Sequence, residues 1–232
     1  GDGTLSEIVA GLLDTGVPAG IVPTGTGNDF ARTIGVPLDP LAAVEHYLNG
    51  GAASVDLLEI EGGRGWGINV AGVGFDARVA HRVNARRRIS RGLATYLACV
   101  GAELVRHRPL AATIRIDDDT WRGPALLVAV ANARSYGAGM LIAPHAEVDD
   151  GLLDVVLVEQ MSRAEFLVNF PKVMRGTHLS HPKVRTWRGE EVVIETEEPS
   201  PWLIDGDVRG ETPVEVRIAP GRARVWMPGG SA

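Results

Sequence analysis

The sequence predicts a mixed fold, a short α/β unit followed by a larger β-rich one, on three observations. Two glycine-rich turns, Gly1-Asp2-Gly3-Thr4 and Gly25-Thr26-Gly27-Asn28, each lead into a stretch with helical spacing. A short apolar run, Ala19-Gly20-Ile21-Val22-Pro23, lies between them and reads as a buried strand. From about residue 53 onward strand-like runs recur with turn signals every ten residues or so, the pattern of a sandwich or barrel.

The elements follow in order. Leu5, Ile8, Val9, Leu12 and Leu13 fall at helical spacing after the first turn, and Thr15-Gly16 stops the helix. After the second turn Asn28 can cap a short helix that runs through Asp29, Phe30 and Arg32. Asp39-Pro40 opens a third helix with Leu41, Val44, Tyr47 and Leu48 on one face, ending at Asn49-Gly50-Gly51. The boundary between units is expected near residue 52, giving 1–52 and 53–228, with 229–232 as a tail. Ser54–Ile60 and Gly65–Val70 are strand-like and flank a hairpin signal, Glu61-Gly62-Gly63-Arg64. A helical section is expected over 76–107. Strands follow at 111–116, 124–131, 152–159, 183–187, 190–196, 201–204, 213–218 and 223–227, with a helix over Arg163–Arg175 between them.

Composition narrows the class. The 232 residues, 45% hydrophobic, suffice for a sizeable core. A net charge of −6 argues against nucleic acid as a partner. The single cysteine, Cys99, sits in an apolar stretch and excludes an internal disulfide or a cysteine-rich metal site. No apolar run approaches the ~20 residues of a membrane-spanning helix, and no secretory signal is visible, so the expectation is a soluble, cytoplasmic protein. The chain begins with Gly rather than Met, inside a turn motif, and reads as a segment with a strand and turn upstream.

The paired turns point to phosphate. Glycine lets a ligand approach backbone amides closely, and the unpaired N–H groups at a helix start attract anions. Such turns also serve purely steric ends, but two together, each with a hydroxyl residue and an acid, favour a phosphate cradle.

Five elements resemble, in order, those of the diacylglycerol kinase catalytic-domain family. Gly1-Asp2-Gly3-Thr4 is similar to the last four positions of its GGDGT motif, and residues Pro23 to Arg32 to its PxGTxNDFAR motif. Gly72-Val73-Gly74-Phe75-Asp76-Ala77 resembles GxGFDA. The stretch from Asn132 to Asp154 resembles the family's Asn-to-DG segment, and Asp205-Gly206-Asp207 its late DGE turn. The resemblance implies a partial nucleotide-binding α/β domain related to NAD kinase and phosphofructokinase, followed by a β-sandwich-like lipid-binding domain, with the active site in the cleft between them. It implies ATP and Mg²⁺ as cofactors and transfer of the γ-phosphate to a lipid hydroxyl, diacylglycerol first. Two departures stand out: the first Gly of GGDGT does not precede Gly1, and Asp207 stands where the family usually has Glu.

Phosphoryl transfer needs positioned phosphates, a cation to spread charge, and a carboxylate at the attacking hydroxyl. Backbone groups at Gly1, Gly3 and Thr4, with the hydroxyl of Thr26, are the expected phosphate cradle. Asp2 is expected to accept a proton or hold a metal, its alternative use being a helix cap. Asn28 and Asp29 can bind nucleotide or cap. By resemblance Asp207 is the general base, although the same residues suit a plain hairpin turn. By the same resemblance Asp150, with the main chain at Glu147 and Leu152, forms a structural Mg²⁺ site, the alternative being a solvated acidic turn. Arg82, Arg86, Arg87, Arg88 and Arg91 offer either a solvated helix face or a contact with anionic lipid heads at a membrane surface. The six histidines show no metal spacing, and no G-x-S-x-G elbow is present. Sphingoid-base kinases, NAD kinases and a catalytically silent lipid-binding module are the competing readings, and homodimerisation stays open.

Overall fold

The computed structural model describes residues 1–48, 50–85, 93–106 and 108–227. Arg86, Arg87, Arg88, Arg91 and the 229–232 tail lie outside the described residues.

Helix α1 (Asp2–Leu12) forms as its spacing requires, burying Leu5 and Val9. Helix α2 (Asp29–Thr33) is a single short turn that buries Phe30 and Ala31. Helix α3 (Pro40–Leu48) starts where Asp39 accepts the amides of Leu41 and Ala42 at 3.1 and 2.9 Å. Its buried residue is Ala43, whereas Leu41 and Leu48 of the expected apolar face are 77% and 81% exposed. Of the expected apolar face Tyr47 packs against the core and bonds to Ile21, while Leu41, Val44 and Leu48 face outward. The run 19–23 is a second correction: it is extended but joins the sheet only through one parallel bridge, Ala19 to Val225.

The β-rich unit begins with β1 (Gly51–Ile60), β2 (Gly65–Gly67) and β3 (Val70–Gly74). Helices α4 (Phe75–Ala85) and α5 (Leu93–Arg106) follow, both within the section expected to be helical. Then come β4 (Leu110–Ile116), β5 (Asp119–Ala131), β6 (Leu153–Glu159) and α6 (Arg163–Asn169), the last continuing into a 3₁₀ segment, Phe170–Arg175. The chain closes with β7 (Val184–Gly189), β8 (Glu191–Thr196), β9 (Pro201–Ile204), β10 (Asp207–Glu211) and β11 (Val214–Met227).

These strands make one curled antiparallel sheet in the order β10-β9-β3-β5-β4-β8-β11-β1-β2, with β6 and then β7 branching from β5. The branch arises because β5 changes partners along its length. Its first half pairs with β4, and its second half pairs with β3 on one side and β6 on the other. The alternating strand residues Leu58, Ile114, Leu157, Ile194 and Val216 fill the interior of the curl. A second cluster lies between the outer face of the sheet and helices α4, α5 and α6, and includes Cys99. The third joins the start of the chain to the sheet: Leu5, Val9, Phe30 and Val36 share a core with Val55 and Leu57 of β1 and Val225 of β11. The start of the chain is thus fastened to the sheet by a common apolar core.

Candidate functional site

The two glycine turns meet. A Cβ on Gly25 would stand 2.9 Å from Gly1 N and 2.8 Å from Asn28 Oδ1, and one on Gly27 would stand 2.9 Å from Asp2 Oδ2 and 2.8 Å from Asp29 Oδ2. Glycine is needed at both positions for close approach. Positive φ falls instead on Asn28, at 54°. The Asn28 side chain does not cap α2; it bonds back to Gly25, accepting its N–H at 3.0 Å and donating to its carbonyl at 2.8 Å. The capping group comes from the other turn, since Asp2 Oδ1 accepts the amide of Phe30 at 2.9 Å. Gly1 sits at the N-cap of α1, so the leading amides of that helix, including those of Gly3 and Thr4, have no intrahelical acceptor and form the positive end of its dipole. Thr4 and Thr26 are both exposed.

Asp29 turns inward. Buried at 4% exposure, it accepts from Ser135 Oγ at 3.1 Å, Ala138 N at 2.9 Å and Gly139 N at 2.7 Å. Burial raises its pKa, with a further contribution from the charge of Asp2. It ties the second turn to the 135–139 loop of the β-rich unit.

The late turn completes the arrangement. Asp205 and Gly206 have φ of 49° and 89°, the geometry of a type I′ hairpin between β9 and β10. Asp205 accepts the amides of Ile68, Asn69 and Val70 at 2.8, 2.8 and 3.2 Å. Burial nevertheless pushes its carboxyl up to about 6, because desolvation outweighs those bonds. This clamp orients the turn, and Asp207 emerges beside α1: its Oδ2 is 3.6 Å from where a Cβ on Gly3 would stand. Asp207 is 34% exposed and lies 3.6 Å from Arg209 Nη2. Asn69, inside the strand-like run 65–70, is 1% exposed and donates to Asp2 Oδ1 at 3.4 Å. Its Oδ1 is buried with no hydrogen-bond partner. A polar residue inside an apolar strand run was the available signal for it.

Asp2, Asn69, Asp205 and Asp207 therefore converge at the start of α1. Asp150 does not join them. One of its oxygens accepts the Leu152 amide at 3.1 Å and the other is ion-paired with Arg188, which also reaches Asp154 at 3.5 Å. Glu147 is exposed. Among the described residues no group of three or more His, Cys, Asp or Glu side chains is placed to hold a metal ion. At Asp150 the carboxylate is ion-paired with the Arg188 guanidinium.

Beside α4 lies a largely apolar cavity of about 680 Å³ including its mouth, walled by Phe75, Leu127, Met140, Phe166, Phe170 and Val173 among others. Two polar side chains on its wall are buried: Asp76, which takes hydrogen bonds from the Ala77 amide and from Tyr136, and His178, whose Nδ1 has no partner. Burial pushes the Asp76 carboxyl up to about 6 and lowers the pKa of His178, whose Nε2 is 3.1 Å from the Ile142 carbonyl. Helix α4, which supplies Phe75, Asp76 and Val79 to the cavity wall, also packs against β9 and β10, the hairpin that carries Asp207.

Residues 1–60 match the diacylglycerol kinase catalytic domain, and residues 69–227 match the YegS C-terminal NAD kinase beta sandwich-like domain. The chain is 36% identical over 233 residues to a diacylglycerol kinase of Mycobacterium tuberculosis, covering 98% of this chain and 75% of that protein. The chain belongs to the diacylglycerol kinase catalytic-domain family. Membership makes it a kinase-type phosphotransferase, for which ATP is the phosphoryl donor. The kinase is also 31% identical over 220 residues to a diacylglycerol kinase of Bacillus subtilis, covering 93% of this chain and 71% of that one. In structure it resembles a diacylglycerol kinase from Bacillus anthracis with a TM-score of 0.70 at 22% identity, over 97% of this chain and 73% of that one, which shows the shared fold. No helix among the described residues of the kinase is long and apolar enough to cross a membrane.

Proposed function

We propose that this kinase transfers the γ-phosphate of Mg-ATP to the free hydroxyl of a membrane lipid, with Asp207 as general base. The observation that carries this reading is the placement of Asp207 beside Gly3, at the amide-rich start of α1. A carboxylate there accepts the hydroxyl proton as the phosphoryl group arrives, while the α1 amides and the Gly25–Asn28 turn hold phosphate oxygens. Asp2 fixes the two turns relative to each other through Phe30, and Asp29 fixes them relative to the 135–139 loop. In this reading Asp29 positions the site rather than touching nucleotide. Mg²⁺ enters as part of the substrate complex, and no step uses a cation at Asp150.

The apolar cavity beside α4 supports a lipid acceptor, because its wall is dominated by aliphatic and aromatic side chains with few polar groups. Diacylglycerol is the first candidate, since relatives carry its name; sphingoid bases and other lipids with a free hydroxyl are the alternatives. The test is incubation with Mg-ATP and mixed micelles of a lipid panel. Phosphatidic acid from diacylglycerol supports the reading, and absence of any phosphorylated lipid overturns it. Calorimetry with Mg-ATP separates it from a silent lipid-binding module, which gives no heat with nucleotide.

A further inference from the structure

Segment 163–175 has two apolar sides. The capping box of Ser162 and Glu165 starts α6, and the guanidinium of Arg163 donates to the carbonyls of Leu104 and Val105 at 3.1 and 2.6 Å, pinning α6 to the end of α5. On the inner side Phe166, Phe170 and Val173 wall the cavity. On the outer side Leu167, Val168 and Met174 are 61%, 69% and 51% exposed, and Val105 at the end of α5 is 63% exposed. Lys172 and Arg175 are exposed among them, and Arg106 and Arg108 are exposed beside Val105. On a chain of net charge −6, this is a local basic and apolar surface.

We infer that the outer side of segment 163–175, with the end of α5, docks on an anionic lipid bilayer and sets the cavity against the membrane from which its lipid comes. Exposed apolar side chains enter the interfacial region while flanking Lys and Arg meet anionic headgroups, the chemistry of interfacial helices. The basic side chains complement anionic headgroups, and the inner side of the same segment walls the apolar cavity, which ties this surface to the membrane that carries the acceptor. The stripe on α3 has no such link to the cavity. The inference rests on the reading that the substrate is a membrane lipid.

An environment-sensitive fluorophore at Leu167→Cys tests it, since Cys99 is fully buried and the new thiol is labelled selectively. Vesicles of phosphatidylcholine with about a quarter phosphatidylglycerol should shift the emission to the blue, and pure phosphatidylcholine should do so far less. In unlabelled protein, Leu167→Glu with Val168→Glu, and separately Lys172→Glu with Arg175→Glu, should each lower vesicle partitioning about tenfold or more. Three results overturn the inference: no sedimentation with anionic vesicles, sedimentation with no change at position 167, or an emission shift that follows protein concentration without vesicles, which marks a self-contact. Phosphorylation of a short-chain diacylglycerol dissolved as monomers by the wild-type protein tests the kinase reading separately, because it needs no bilayer.

Discussion

Asp2 accepts the backbone amide of Phe30 at 2.9 Å, so the acid of the first glycine turn caps the helix that follows the second. One carboxylate thus sets the distance between two turns 24 residues apart in the chain, counted from Gly1 to Gly25. Asp2→Ala should destabilise the fold by about 1–2 kcal/mol, the range for a lost cap. Asp2→Asn keeps an acceptor oxygen and should lose less. Urea unfolding of the two variants checks the order, and Mg-ATP affinity should fall in the same order.

The Asp207 side chain has the reach of Asp where Glu is usual in the family. If the carboxylate is the base, Asp207→Asn should lower kcat by about 10²–10⁴ with little change in the KM for ATP. Asp207→Glu should keep activity within about tenfold, because it restores the longer arm. Steady-state rates with a phosphorylated lipid hydroxyl as product check both.

Much of this arrangement is legible in the sequence because turns and caps are local. The DG dipeptide at 205–206 marks its hairpin, and the hydroxyl-and-acid turns mark theirs. What Asp205 does with its side chain is not local: it bonds to amides at 68–70, more than 130 residues away. Asn69 escapes for the same reason. The run 19–23 has the composition of a strand, but pairing depends on which partner edge is available, and a single bridge to Val225 is all it makes. The stripe on α3 shows the complementary limit, since periodicity groups Leu41, Val44, Tyr47 and Leu48 without saying which of them packs inward.

The share of stability contributed by Asp76 and Asp205 should fall as pH rises from about 4 to about 6. Burial holds the Asp76 and Asp205 carboxyls at about 6 in the folded protein, above the 3.8 of the free group. A group raised in this way contributes stability that is fully present below 3.8 and is lost as pH rises through about 6. For Asp76 the gap amounts to at most about 3 kcal/mol. Asp76→Asn should flatten that part of the profile, read as the wild-type minus variant difference in urea-unfolding free energy between pH ~4 and ~7.

Filling the cavity should separate lipid from nucleotide. Val173 is buried on its wall, and Val173→Trp places a large ring inside. The KM for a long-chain lipid should rise about tenfold or more, while Mg-ATP affinity by calorimetry stays within about twofold. Parallel loss of both would place nucleotide, not lipid, in the cavity.

The most direct measurement is transfer of labelled γ-phosphate from Mg-ATP to diacylglycerol in mixed micelles, run side by side for wild type and Asp207→Asn. The account predicts labelled phosphatidic acid from the wild type and a rate at least about a hundredfold lower from the variant. Labelled lipid formed equally fast by both proteins would contradict it.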